Sequence, residues 1–322
     1  MKILILTILV LFLNIFSYSQ NPNNKDATND ALIKINADPK LGFNFSYYIF
    51  VPKGVDEQSI NYLLVETNNT GSNDSISHHE KEAALGASKN SLGNSIARKL
   101  KTPFLFPAFP RPSKEWRLYT HAFDRDSALS GDPKIKRLDL QLIAMIKDAK
   151  KHLLKLNIKT QDKILMNGFS ASGTFANRFT LIHPEIVAGV ACGGINAFPI
   201  LPIKTLGTGA LIYPLGLFDF EKIFNKKVDL ETYKKVPQFL YMGENDDNDA
   251  VLFDDAYSKK ERKIIYKYIG KKMMPDRWVL SQNIYLKNNI NAEFKTYKSI
   301  GHETNKTVFD ELINFYKRII QN

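Results

Sequence analysis

Hydrophobic and polar positions alternate along the chain between Gly42 and Val51. Every odd-numbered residue from Phe43 to Val51 is apolar or aromatic, whereas the even-numbered positions include Asn44 and Ser46. Because successive side chains of a strand point to opposite faces, this period of two predicts a β-strand with one face buried.

Six shorter and mostly apolar runs follow. They lie at residues 62–66, 103–106, 163–166, 186–191, 238–242 and 292–297. The strands of a parallel sheet are covered on both faces and are therefore apolar along most of their length. These runs predict the strands of a mostly parallel central sheet.

Apolar residues at helical spacing occur between the runs. In one segment Leu138, Leu142 and Met145 begin a stripe that continues to Leu153, and we expect this helix to start at Asp132-Pro133. A second stripe, over residues 308–320, closes the chain. Strands that alternate with helices predict an α/β fold with helices on both faces of the sheet.

The first nineteen residues have the pattern of a secretory signal peptide. Lys2 precedes the apolar run Ile3–Phe16, which is shorter than the ~20 residues of a membrane-spanning helix, and the small residues Ser17 and Ser19 follow. We therefore expect residues 1–19 to be cleaved, residues 20–41 to be flexible and residues 42–322 to form one domain. The mature protein would be secreted or periplasmic, with no stable membrane insertion.

Composition narrows the possible functions. The net charge is +11, but the lysines are scattered and form no arginine-rich stripe, so we expect a solvated surface and no nucleic-acid binding. Cys192 is the only cysteine, which excludes an internal disulfide. It lies in an apolar run, so we expect a buried thiol without a chemical role.

The sequence GFSASG at Gly168–Gly173 joins a predicted strand to a predicted helix. A serine on a sharp strand-to-helix turn is the arrangement of a nucleophile elbow, which needs small residues two positions on either side. Ser170 has Gly168 and Ser172 at those positions, whereas Ser172 has no glycine before it. Ser170 is therefore the predicted nucleophile.

A nucleophilic serine needs a base, and the base needs an acid to orient it. Only His183 and His302 follow Ser170, and His302 comes after the last predicted strand, whereas His183 ends the helix that leads away from the elbow. The acid should follow the strand 238–242, where the loop GENDDND begins. We prefer Asp246 in this loop, then Asp249 and then Asp247; the loop lacks the spacing of a calcium site.

GFSASG, GEND and the pair Gly301-His302 together resemble the α/β-hydrolase fold, in particular the secreted esterase and polyhydroxyalkanoate-depolymerase-like group, over roughly residues 42–320. The resemblance implies an oxyanion hole formed by the backbone N–H of Ala171 and one from the loop after the third strand of the fold. Asn69 is the expected second donor, with Asn68 as the alternative.

Two other segments could belong to the site. Residues 195–236, between the predicted sixth and seventh strands of the fold, form either a lid-like insertion over the acyl pocket or ordinary packing. His121, Asp124 and Asp126 could hold a metal, but a salt bridge from Arg125 explains these charges more simply.

The sequence thus predicts an exported serine hydrolase that cleaves a small-molecule or polymeric carboxylic ester through an acyl-enzyme, without metal or cofactor. A serine peptidase that uses the same Ser170, His302 and Asp246 is one alternative. A noncatalytic binding protein on a hydrolase fold is another. The ester and the oligomeric state stay open.

Overall fold

A computed structural model of the chain describes residues 29–321. The predicted signal peptide lies outside the described residues. Eight strands form one sheet in the order β1-β2-β4-β3-β5-β6-β9-β10, and β7 and β8 form a separate hairpin. The strands are β1 (Ala31–Ile35), β2 (Tyr47–Val51), β3 (Leu64–Glu66), β4 (Phe104–Pro107), β5 (Ile164–Phe169), β6 (Val187–Gly193), β7 (Thr205–Leu206), β8 (Gly209–Ala210), β9 (Gln238–Gly243) and β10 (Ala292–Tyr297).

The sheet is mixed but mostly parallel, as predicted. β1 and β2 pair antiparallel, as do β2 and β4, and the remaining neighbours pair in parallel. The carboxyl ends of β3, β5, β6, β9 and β10 therefore meet at one edge of the sheet. Loops that leave these ends can bring residues distant in sequence to one place.

Helices cover both faces of the sheet. They are α1 (Ile76–Leu85), α2 (Leu92–Leu100), α3 (Arg125–Ala128), α4 (Leu138–Lys155), α5 (Ala171–Ile182), α6 (Phe220–Phe224), α7 (Leu230–Lys235), α8 (Lys259–Ile264), α9 (Trp278–Lys287) and α10 (Lys306–Ile320). Buried side chains of α4, α5 and α9 form one apolar core, and those of α1, α2 and α10 form the other. Among residues 29–321, no helix is long and apolar enough to cross a membrane.

Three local expectations are wrong. The segment 20–41 is not flexible throughout, because Ala31–Ile35 form β1 on the edge of the sheet. β2 is buried on both faces rather than one, since Tyr48 and Phe50 pack into the second core. α4 begins at Leu138 rather than at Asp132-Pro133, because Arg137 takes a left-handed backbone conformation before it.

The segment 195–236 is folded against the domain. It contains the β7–β8 hairpin, α6 and α7. Ala197, Phe198 and Leu201 are buried in a third apolar cluster that includes Ala171, directly after the predicted nucleophile. This burial favours the packing interpretation, and the role of a lid stays a prediction.

Substitution of two leucines in α4 tests which face of this helix packs into the first core. Leu142 is fully buried, whereas Leu140 in the same helix is 46% exposed. Leu142→Ala should lower the free energy of unfolding by about 2–5 kcal/mol, through lost burial and a cavity. Leu140→Ala should change it by less than about 1 kcal/mol. Denaturant unfolding of both variants checks this, and equal losses would contradict the assignment of the α4 face.

Candidate active site

Ser170 lies on a tight turn between β5 and α5. Its backbone has φ 62° and ψ −128°, a conformation that residues with a side chain rarely adopt and that costs on the order of 1–3 kcal/mol. The Ser170 N–H donates to the carbonyl of Gly193 at 2.9 Å, and the Ser170 carbonyl accepts from Thr174 at 3.0 Å. The strained residue is thus held by β6 on one side and by α5 on the other.

Two glycines allow this turn to close. A Cβ at Gly168 would lie 2.3 Å from the carbonyl oxygen of Ser172, and a Cβ at Gly173 would lie 2.6 Å from that of Gly193. Both contacts are far closer than van der Waals packing permits, and both are to backbone, which cannot move aside. The glycines of GFSASG are therefore required by the close approach of α5 to the sheet.

The two serines of the motif have different environments. The Ser172 hydroxyl donates to the carbonyl of Phe169 at 2.8 Å and accepts from the N–H of Phe169 at 3.0 Å, and the residue is 3% exposed. Ser170 is only partly buried. Ser172 therefore braces the turn, whereas the Ser170 hydroxyl makes no hydrogen bond to the backbone of residues 29–321.

The structure brings Asp246 and His302 together. The loops that carry them follow the paired strands β9 and β10. His302 Nδ1 lies 2.9 Å from Asp246 Oδ2, and Asp246 is 4% exposed. Because an ionised carboxylate only accepts, Nδ1 carries the proton and Nε2 presents a lone pair.

The alternative acids and the other histidine lie elsewhere. Asp249 pairs with the buried Arg277 and also caps the turn at Val251. Asp247 is exposed. His183 Nε2 lies 2.8 Å from Asp139 of α4, beyond the far end of α5. Of the histidines and carboxylates weighed from the sequence, only Asp246 hydrogen-bonds to His302.

Asn248 is a site residue that the sequence analysis missed. Its side-chain Nδ2 lies 3.0 Å from His302 Nε2 and 3.5 Å from Ser170 Oγ. Its backbone N–H donates to Asp246 Oδ1 at 3.0 Å. Its position in the sequence could have indicated this. Asn248 is two residues after Asp246, the spacing at which a backbone N–H bonds an aspartate side chain in an Asx turn.

The predicted oxyanion donors lie on two elements. Ala171 is the first residue of α5, so its N–H has no acceptor within the helix. Asn69 is exposed in the loop after β3. Asn68 is buried instead, where its side-chain amide bonds both backbone groups of Phe109, at 2.8 and 3.1 Å. Asn68 thus fixes the loop, and Asn69 stays the predicted second donor.

A cleft of about 330 Å³ lies beside the turn. Its walls include Asn69, Phe169, Ser172 and Thr304, and both polar and apolar side chains line it. At its base, burial raises the pKa of the Glu66 carboxyl to about 7, although a hydrogen bond from Asn167 opposes the shift. Phe169 and Thr304, which lie one residue before Ser170 and two residues after His302, link this cleft to the candidate site.

In the segment after β4, His121, Asp124 and Arg125 have structural partners, and Asp126 is exposed. His121 is buried, its Nε2 lies 2.9 Å from the Phe109 carbonyl, and burial lowers the pKa of its imidazole to about 3. Asp124 caps α3, and Arg125 pairs with Asp219 at 2.6 Å. The Arg125 salt bridge reaches Asp219 rather than its own loop. Among residues 29–321, no group of three or more His, Cys, Asp or Glu side chains is placed to hold a metal.

Cys192 lies in the first core, and burial raises the pKa of its thiol well above the ordinary value. A thiol that stays protonated and has no access to solvent is a poor nucleophile. Its position agrees with the packing role expected from the sequence.

Comparisons with known proteins give matches in structure alone. No protein-family profile and no curated protein sequence matches the chain. A poly(aspartic acid) hydrolase from Sphingomonas sp. KT-1 matches with a TM-score of 0.58 and 14% identity, over 91% of this chain and 99% of its own. A poly(3-hydroxybutyrate) depolymerase from Bordetella parapertussis matches with a TM-score of 0.55 and 13% identity, over 91% and 94%.

A third match is an S-formylglutathione hydrolase from Agrobacterium tumefaciens, with a TM-score of 0.52 and 11% identity over 91% of this chain and 94% of its own. At such identities the matches establish architecture and not activity. The strand order, the turn at Ser170 and these matches show that the chain has the α/β-hydrolase fold.

Proposed function

We propose that this protein is a serine hydrolase that cleaves carboxylic esters through an acyl-enzyme. One observation carries the proposal: Asp246 is bonded to His302 at the sheet edge where Ser170 stands on its strained turn. A nucleophile, a base and an orienting acid in these roles are the requirement for acyl transfer.

In the proposed reaction, His302 Nε2 takes the proton of Ser170 as Oγ attacks the ester carbonyl. Asp246 keeps the proton on Nδ1 and stabilises the imidazolium. The N–H groups of Ala171 and Asn69 bind the oxyanion, each contributing about 3 kcal/mol in studied enzymes. The imidazolium returns its proton to the departing alcohol. Water, activated by the same base, then releases the acid and restores Ser170.

By their names, the fold neighbours hydrolyse a polyester, S-formylglutathione and poly(aspartic acid), so they support a hydrolase without separating ester from amide substrates. A peptidase that uses the same residues is the nearest alternative. Export is a separate proposal, supported by the apolar run Ile3–Phe16 after Lys2. We propose no metal or cofactor for the reaction.

Replacing each serine of the motif separately by alanine tests which one is the nucleophile. Ser170→Ala should abolish hydrolysis of an aryl acetate, because no other group can form the acyl-enzyme. Ser172→Ala should keep most of the activity, although it removes two hydrogen bonds that brace the turn. Steady-state kinetics of both variants, with folding checked by circular dichroism, decides this. Loss of activity in Ser172→Ala alone would overturn the assignment.

Replacing each aspartate separately by asparagine tests which one orients His302. Asp246→Asn should lower kcat by several orders of magnitude, as the corresponding change does in a related triad (~10⁴-fold), because His302 then takes the wrong tautomer. Asp247→Asn is the matched control and should change kcat less than about tenfold, since Asp247 is exposed. A kcat of near wild-type size in Asp246→Asn would contradict the proposed acid.

The polar groups that line the cleft predict a preference among esters. A long saturated acyl chain in the cleft would remove water from side chains such as Asn69, Asn90 and Thr304 without hydrogen bonding to them, which costs binding energy. We therefore expect kcat/KM for a p-nitrophenyl acetate to exceed that for the palmitate by about tenfold or more. The two esters share a leaving group, so the comparison isolates the acyl chain. A kcat/KM that rises with chain length would contradict this use of the cleft.

A further inference from the structure

The lone pair of the proposed base has an unexpected partner. With the proton of His302 on Nδ1, the Nε2 lone pair should face Ser170 Oγ. Among residues 29–321, however, the hydrogen-bond partner of Nε2 is Asn248, whose Nδ2 lies 3.0 Å away. Ser170 Oγ and His302 Nε2 make no hydrogen bond with each other in that part of the chain.

The orientation of the Asn248 amide follows from the tautomer of His302. An unprotonated Nε2 accepts a hydrogen bond, so it is met by the amide N–H₂ group and not by the amide oxygen. The same Nδ2 lies 3.5 Å from Ser170 Oγ, at the outer limit of a hydrogen bond. The amide therefore stands between the base and the nucleophile.

Asp246 holds both partners of this contact. Its Oδ2 accepts from His302 Nδ1 at 2.9 Å, and its Oδ1 accepts from the backbone N–H of Asn248 at 3.0 Å. Phe169 packs on the imidazole ring, with the two ring centres 4.7 Å apart. Within the described chain, Asp246 is the one charged side chain bonded to the ring. The backbone of Asn248 is thus fixed by Asp246, whereas within the described chain its side-chain amide hydrogen-bonds only to Ser170 and His302.

We propose that Asn248 is a positioning residue that holds the free enzyme in a resting state. Its amide occupies the Nε2 lone pair of His302 and must turn aside before Ser170 can pass its proton to the base. The inference rests on the proposed function, because it assigns Asn248 a role only if Ser170 and His302 react as described.

Two effects follow from removal of the amide. A hydrogen bond donated to Nε2 favours the neutral ring, so its loss makes the ring easier to protonate. The acid limb of the kcat/KM profile should therefore move to higher pH, by about half to one unit for one hydrogen bond. At pH values above the acid limb, where the rate no longer changes with pH, Ser170 no longer competes with the Asn248 amide for the Nε2 lone pair. The reaction of Ser170 should therefore become about two- to tenfold faster.

The test is the rate at which a fluorophosphonate probe labels the full-length protein, measured across the acid limb. Asn248→Ala should show both changes, because the backbone N–H that bonds Asp246 is retained. Asn248→Asp keeps the size of the side chain but places a carboxylate at Nε2. It should move the acid limb further to higher pH and slow labelling near neutral pH, because it favours the imidazolium.

Asp247→Ala is the control from the same loop and should label as the wild type does. The inference is overturned if Asn248→Ala labels at the wild-type rate with the same pH profile. It is also overturned if labelling slows while the profile stays in place, since this marks a merely structural residue. Failure of the proposed function gives a different result: a folded wild-type protein that does not label, or a Ser170→Ala variant that does.

Discussion

The backbone of α5 lies directly against the backbone of β5 and β6, and the turn at Ser170 depends on this contact. No side chain fits between the strands and the helix at Gly168 or Gly173, where a Cβ would meet carbonyl oxygens at 2.3 and 2.6 Å. The helix can therefore begin immediately after the strand. This contact fixes a positive φ at Ser170, which the flanking hydrogen bonds to Gly193 and Thr174 maintain. The packed core on both faces supplies the free energy that offsets the local strain.

A single carboxylate organises the other half of the site. Asp246 is almost fully buried and uses both oxygens, one for His302 and one for the backbone of Asn248. The parallel pairing of β9 with β10 brings the two loops to the same edge as the turn. The sheet thus determines where His302 and Asp246 meet, and the carboxylate determines how the ring and the neighbouring amide of Asn248 face Ser170.

Much of this arrangement could be predicted from the sequence, because it depends on local patterns. Apolar runs revealed six strands of the sheet, and β10 coincides with its predicted residues 292–297. The glycine before Ser170 indicated a close backbone approach, which the structure contains at Gly168. The preference for Asp246 over Asp249 rested on position in the loop, and the structure adds the reason that Asp249 is bonded to Arg277.

The remaining features depend on contacts between distant parts of the chain. β1 is mostly apolar, with Lys34 as its one polar residue, but it directly follows the polar segment 20–30, and its pairing with β2 places it at the edge of the sheet. The burial of Tyr48 and Phe50 follows from helices packed on the second face of the sheet. Asn248 was missed because an amide is neither nucleophile, base nor acid; its spacing from Asp246 is compatible with an Asx turn but does not indicate that the side chain reaches His302.

The central claim is that Ser170 is the group that becomes acylated. The most direct measurement is intact-mass analysis after incubation with a fluorophosphonate, followed by peptide mapping of the modified residue. We predict one adduct per chain, located on Ser170, and none after unfolding of the protein before exposure to the probe. An adduct on Ser172 or on any other residue, or no adduct on the folded protein, would contradict it.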